Sequence, residues 1–207
     1  MRFLGFFFTV LMFGLFSTNS QAQNFGGGLI AGVSTSQVAG DMLGGFNKIG
    51  FLFGGYTNLS VKEKMSLKYE ITYIEKGSRN PNMYKTNHPN YEKIEISLSY
   101  IEMPLTINLQ QKENLGIELG IMPAFIISAS WNSAEQKKQE VPNPQYKKYD
   151  FGVCAGINYY LSDNIILNTR ISNSILPIRP HVSGATKGWN KGQYNTVLSF
   201  AINYRII

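Results

Sequence analysis

The chain alternates. From Met65, the apolar residues Met65, Leu67, Tyr69, Ile71 and Tyr73 are separated by Ser66, Lys68, Glu70 and Thr72. Between Tyr149 and Leu161, the residues Tyr149, Phe151, Val153, Ala155, Ile157, Tyr159 and Leu161 share one parity. Near the end, Leu198, Phe200, Ile202, Tyr204 and Ile206 alternate with Ser199, Ala201, Asn203 and Arg205. A period of two predicts strands with one apolar face. Eight such runs lie near 25–36, 47–60, 65–76, 94–109, 115–131, 149–161, 165–174 and 194–207. Most reach the roughly 9–11 residues that a tilted strand needs to cross a bilayer.

The connections alternate as well. Lys62–Lys64, Gln110–Asn114 and Ser162–Asn164 are short, whereas 37–46, 77–93, 132–148 and 175–193 are long. This pattern predicts an all-β fold, an eight-stranded antiparallel transmembrane β-barrel with short periplasmic turns and long extracellular loops. An even strand count puts both termini on the short-turn side. One run changes phase: Ile94, Ile96 and Leu98 share one parity, and Ile101, Met103, Leu105 and Ile107 the other. A slip near Ser99-Tyr100 predicts a bulge. Folding about the 110–114 turn brings Pro104 and Pro123 within a few residues of one another, and a shared irregularity is expected there.

Alternation does not say which face points inward. A soluble ligand-binding barrel has an apolar cavity, and a membrane barrel reverses the arrangement. Glycine pairs four residues apart (Gly28 and Gly32, Gly50 and Gly54, Gly116 and Gly120, Gly152 and Gly156) lie on the polar face of their runs. Glycine weakens a solvated strand, but it suits the crowded interior of a narrow barrel. The polar face is therefore expected inside. Tyr56, Tyr73, Trp131, Tyr149, Tyr159, Tyr194 and Tyr204 are expected to form interfacial girdles.

The first residues read differently. Met1-Arg2, the uncharged run Phe3–Phe16 and the small residues Ser20-Gln21-Ala22 form a secretory signal of residues 1–22. The run is too short for a spanning helix, which needs about 20 apolar residues. One barrel domain, 23–207, remains. Composition agrees, with 15% charged residues against roughly a quarter in soluble domains. The single Cys154 excludes an intramolecular disulfide and any multi-cysteine zinc cluster.

Several segments, taken in order, carry a resemblance. They are Gln37–Asp41, Gly45–Gly50, Glu70–Tyr73 with Glu75–Arg79, Tyr100–Leu105, Ser172–Arg179 and Gln193–Phe200. Together they resemble the PorT-like outer-membrane β-barrel family of Bacteroidota. The resemblance implies a barrel in the outer membrane of a Gram-negative cell. The family's namesake belongs to the type IX secretion apparatus, and an accessory role in secretion or surface assembly is implied on that ground alone. Members typically end in an aromatic residue that the barrel-assembly machinery reads, whereas this sequence closes on Tyr204-Arg205-Ile206-Ile207.

Two sets of residues are candidates for function. Lys48, Lys68, Glu70, Glu102, Glu118, Arg170 and Arg205 fall on the lumen parity. They would form either an ion or proton path, or a salt-bridged plug that neutralises buried charge. A porin is not expected at this size, since water-filled channels take about 16–18 strands. The second set is a basic and aromatic loop surface: Arg79, Tyr84, Lys85, Lys137, Lys138, Lys147, Lys148, Arg179, Lys187 and Lys191. The four long loops hold ten basic and four acidic residues, a net of +6 in a chain whose total is +6. Such a rim suits outer-membrane lipid, the phosphates of lipopolysaccharide, or an acidic envelope or secretion protein. Nucleic acid is not an expected partner.

His88 and His181 lie in long loops, with Ser78, Ser174, Ser183 and Asp41 as neighbours for a lipid-modifying site, but no spacing motif links them. No phosphate loop, HExxH, CxxC or Gly-x-Ser-x-Gly occurs. No metal or cofactor is expected. The reading is a non-catalytic scaffold or binding module; the alternatives are a lipid-modifying enzyme and a secreted small-ligand barrel. Signal cleavage is directly checkable: N-terminal sequencing of the exported protein should start at Gln23.

Overall fold

A computed structural model describes residues 25–41, 43–80, 94–132, 145–181 and 192–207. The proposed signal, residues 1–22, lies outside them. The described residues form nine strands: β1 (Phe25–Ala39), β2 (Lys48–Lys62), β3 (Met65–Arg79), β4 (Glu95–Glu102), β5 (Leu105–Lys112), β6 (Leu115–Asn132), β7 (Tyr149–Tyr160), β8 (Ile165–Ser174) and β9 (Tyr194–Arg205). All pairings are antiparallel, and the ring closes because β1 pairs with both β2 and β9. Both β4 and β5 pair with β3 on one side and β6 on the other. They are two segments of one stave, so the barrel has eight. Phe25 pairs with Leu59 and Gly28 with Arg205, which puts both ends of the sheet at the short-turn rim.

The break between β4 and β5 sits at the two prolines. Register runs through it unchanged: Glu102 pairs with Ala124 and Leu105 with Ile121. Met103 N–H donates to the Pro123 carbonyl at 2.8 Å, and Glu70 N–H donates to the Pro104 carbonyl at 3.0 Å. What is missing is one donor per proline, Pro104 on the β3 side and Pro123 on the β4–β5 side. The shared irregularity is therefore a pair of deleted ladder bonds without an inserted residue.

The expected bulge lies across from its predicted place. Ser99 pairs with Ser128 and Tyr100 with Ile126, so the extra residue is Ile127 on β6. Strand β4 keeps its parity, with Ile96, Leu98, Tyr100 and Glu102 all buried inside. The change of phase read from the sequence is a change of lumen chemistry, from apolar at the long-loop end to polar below. Beyond Ile127 the parity of β6 does switch, and Ala129 and Trp131 pack on the interior.

The polar face is inside. Lys68, Glu70, Thr72, Thr106, Glu118 and Arg170 are buried, while Val33, Phe51, Ile71, Leu119, Ile157 and Ile202 face outward and exposed. An apolar band of this extent belongs in hydrocarbon rather than water. Tyr73, stacked on Phe53 at 5.0 Å, and Tyr149, edge-on to Phe125 at 5.5 Å, face outward toward the long-loop end. Tyr159 and Tyr204 face outward near the other rim. Two girdle assignments are corrected. Tyr56 is buried in the lumen because it lies on the inward parity of β2, and Trp131 packs inward because it lies beyond the parity switch at Ile127.

The lipid-facing band has a depth-dependent consequence. Leu119, mid-strand between Ile107 and Ala155, should not tolerate charge. Leu119→Arg should cost about 2–4 kcal/mol, and Tyr159→Arg near the rim about 0–1 kcal/mol. Urea titration in phospholipid vesicles measures both.

Candidate functional site

The lumen is filled, and its filling is layered. In the lower half, strands β3, β6 and β8 aim Lys68, Glu70, Glu118 and Arg170 at one point. Arg170 reaches Glu70 with both terminal nitrogens, at 3.0 and 2.6 Å, and Glu118 with Nε at 2.6 Å. Lys68 bridges the same carboxylates, at 2.9 Å to Glu70 and 3.2 Å to Glu118. Asn168 donates to Glu118 at 2.9 Å, and Asn158 donates to it at 3.3 Å. Two cations meet two anions, so the group is neutral. Burial of charge requires both pairing and hydrogen bonds, and here both are supplied.

Glycine makes the room. A Cβ on Gly156 would lie 2.6 Å from Glu118 Oε1 and 2.9 Å from its Cγ. The Glu118 side chain occupies the space a larger residue would fill on the facing strand.

A second polar group sits toward the long-loop end. Lys76 pairs with Glu102, and Asp150 lies 4.0 Å from the same ammonium. Ser174 and Asn195 each donate to Asp150 Oδ2 at 2.9 Å. Lys76 also lies over the Tyr100 ring, 4.8 Å from its centroid.

The seven predicted lumen charges therefore divide. Lys68, Glu70, Glu118 and Arg170 meet, and Glu102 belongs to the second group. Lys48 stands at the rim, 3.3 Å from Glu95, which also contacts Arg79 at 3.4 Å. Arg205 lines an open polar vestibule at the short-turn end, with cavities of about 30 and 100 Å³ beside Asn58, Ser66 and Tyr160. Sequence reasoning missed Lys76 and Asp150. Both share the inward parity of their strands, and that was the available signal.

Above the second group the interior turns apolar. Leu98, Val38 and Ile96 belong to one apolar cluster, and Ile178 from the last long loop closes over them. The cap is knitted from three loops. Lys147 N–H donates to Ile178 O at 2.7 Å, Ile178 N–H to Gln193 O at 2.8 Å, and Gln193 Nε2 to Gly40 O at 3.2 Å. Arg179 donates to Gln193 Oε1 at 2.7 Å and lies over Tyr146, 4.6 Å from the ring centroid. Burial pushes the Tyr146 hydroxyl up to about 12, with Arg179 drawing the other way. Burial also raises the Asp41 carboxyl, against the pull of Ser78, Leu43 and Arg179.

These contacts correct one loop assignment. Arg179 is buried, because its loop folds inward over Ile178, and it contributes no surface charge. Lys147 and Lys148 are exposed, and Arg79 is half-buried in its pair with Glu95. Tyr84, Lys85, Lys137, Lys138, Lys187 and Lys191 lie outside the described residues, as does His88. Of the groups considered as partners for a loop histidine, Ser174 is committed to Asp150, Ser78 donates to Leu43 O at 3.1 Å, and Asp41 accepts from Leu43 N–H at 2.8 Å. Among the described residues no cluster of three metal-ligating side chains occurs.

The lower ion group should behave as a unit. Arg170→Met leaves Glu70 and Glu118 facing only Lys68, and removing one partner of a buried pair costs about 3–5 kcal/mol. Gly156→Val should be comparably damaging through steric displacement of Glu118. Equilibrium unfolding in lipid vesicles checks both; a loss under about 1 kcal/mol for Arg170→Met would show the group to be loosely held.

A family model described as outer membrane protein beta-barrel domain matches residues 4–178. No curated protein matches the chain. Among solved structures, Ail, the attachment invasion locus protein of Yersinia pestis, is similar with a TM-score of 0.51 and 13% identity, over 87% of this chain and 98% of Ail. Ail in complex with the heparin analogue sucrose octasulfate gives a TM-score of 0.50 at 12% identity, over 88% and 99%. Neisserial surface protein A gives a TM-score of 0.51 at 11% identity, over 90% of this chain and 100% of that one. At these identities the likeness concerns the fold. The closed ring, the apolar exterior and the family match agree: the chain belongs to the outer membrane protein β-barrel domain family and resides in the outer membrane.

Proposed function

We propose that the protein is a non-catalytic membrane anchor and binding module whose extracellular loops take an anionic partner, foremost the phosphates of lipopolysaccharide. The observation that carries this reading is the filled interior. Ion pairs occupy the lower lumen, an apolar plug the upper, and three loops cap it. The two axial voids beside the ion groups hold only about 10 Å³ each, room for a single water. With its described interior filled in this way, the barrel is read as presenting its chemistry at the rim. That rim is basic by sequence, and Lys147 and Lys148 stand exposed on it. Ail, on the same architecture, takes a polysulfated sugar analogue. The finer reading, a PorT-like accessory to a type IX or surface assembly in a Bacteroidota cell, rests on the segments from Gln37 to Phe200 quoted above.

The tagged protein, extracted from native outer membranes in gentle detergent, should carry lipopolysaccharide. Exposed ion pairs are worth about 0.2–1 kcal/mol each. Exchanging Lys137, Lys138, Lys147, Lys148, Lys187 and Lys191 for Glu should therefore weaken capture on the order of tenfold or more, and more steeply at low salt. Stoichiometric co-purification of secretion proteins would establish the accessory role. A lipid A or phospholipid profile that changes in His181→Ala would overturn the non-catalytic reading.

A further inference from the structure

The two buried ion groups differ in charge balance. The lower group sets Lys68 and Arg170 against Glu70 and Glu118 and sums to zero. The upper group sets Lys76 alone against Glu102 and Asp150. One negative charge is left over, on side chains that are each at least nine-tenths buried. The strands bring no second cation to it: the Arg170 guanidinium is taken up by Glu70 and Glu118.

The unmatched hydrogen-bonding capacity has one sign. Asp150 Oδ2 accepts from Ser174 and from Asn195, but Asp150 Oδ1 accepts nothing among the described residues. Asn195 is 1% exposed; its Nδ2 donates to Asp150, and its Oδ1 has no partner. Both orphan atoms are acceptors. Asp150, Asn195, Glu102, Ser174 and Lys76 line one void of about 10 Å³, the size of a single water or a small ion. A surplus carboxylate, orphan carboxylate and amide oxygens, and a space for one particle call for a donor that carries positive charge.

We propose that this void is a cation site, occupied by one sodium ion held by the Asp150 carboxylate and the Asn195 amide oxygen, with Glu102 and the Ser174 hydroxyl beside it. The donors are hard oxygens, which hold hard cations. One unit of uncompensated charge calls for a monovalent ion, since a divalent one would reverse the imbalance. The void is too small for a large ion with a hydration shell. The site lies between the neutral ion group and the apolar plug, so a bound ion would complete the lumen's electroneutrality where water is scarce. Lys76 and the ion then share the two carboxylates, and each offsets one.

Heat modifiability of the purified full-length barrel in detergent tests this. The temperature at which its gel mobility shifts is measured in sodium, potassium or choline chloride at one ionic strength and pH. Sodium should raise that temperature by several degrees over choline, saturably, with potassium weaker. Asp150→Asn removes the surplus charge while keeping the side-chain shape, and its unfolding temperature should be the same in all three salts. Lys112→Gln, an exposed change at the opposite, short-turn end, should respond like the parent. Sodium-23 line broadening by the parent barrel, lost in Asp150→Asn, gives a readout independent of unfolding. Equal temperatures for the parent in sodium and choline would overturn the proposal and give the place to a proton or a neutral water. A full sodium response retained in Asp150→Asn would also overturn it, by placing the ion elsewhere.

Discussion

In a bilayer every backbone N–H and C=O must find its partner within the protein, because hydrocarbon offers none. This constraint organises the whole molecule. It requires the β1–β9 pairing that closes the ring, since an open edge would strand a row of donors and acceptors in lipid. It also explains why the irregularities are so economical. The stave of β4 and β5 loses one donor at Pro104, and its neighbour loses one at Pro123, yet register is identical on both sides of the gap. The one inserted residue in that region, Ile127, is outward-facing and apolar, so the bulge puts a hydrocarbon side chain into lipid.

Closure at eight staves then dictates the interior. The cylinder is too narrow for water and too wide to be left empty, so side chains must fill it. The exterior has already taken the apolar parity, and the inward parity must carry polar groups in a low-dielectric space. Such groups persist only in neutral, hydrogen-bonded sets. The Arg170, Glu70, Glu118 and Lys68 set meets that condition with five short contacts. Gly156 gives up its side chain so that Glu118 fits. Toward the long-loop end the same problem has another solution: the inward parity itself turns apolar at Tyr100, Leu98 and Ile96, and Ile178 seals it.

This reversal marks the boundary of what the sequence discloses. Parity states that two faces differ, and it located all eight staves within a few residues. It does not state which face is which along a single strand. The parity change at Ser99-Tyr100 does mark a register shift, but its extra residue, Ile127, sits on the facing β6, while β4 itself passes from a polar to an apolar level of the lumen. The girdle expectation fails at Tyr56 because it lies on the inward parity, and at Trp131 because the Ile127 bulge switches the parity of β6. The ion group was legible as a list because its members share the inward parity. Its pairing was not, since Arg170 and Glu70 are 100 residues apart and meet only once the ring has closed. Arg179 was misplaced because nothing in a loop's composition says that it folds inward over Ile178.

The layered lumen also bears on where function can reside. A side chain that serves as packing in a narrow barrel is held by partners from several strands, and changing it changes stability first. Residues on the rim answer to no such requirement. The mouth is closed by backbone bonds from Lys147 to Ile178 and from Ile178 to Gln193, and by the Gln193 side chain donating to Gly40 O, while the Lys147 and Lys148 side chains project outward. The cap thus does two things with one set of contacts: it keeps water from the apolar plug, and it holds a segment of the basic rim on a fixed platform. Rigid presentation lowers the ordering cost of binding. The same contacts that fill the described end of the barrel also fix the position of its outer surface.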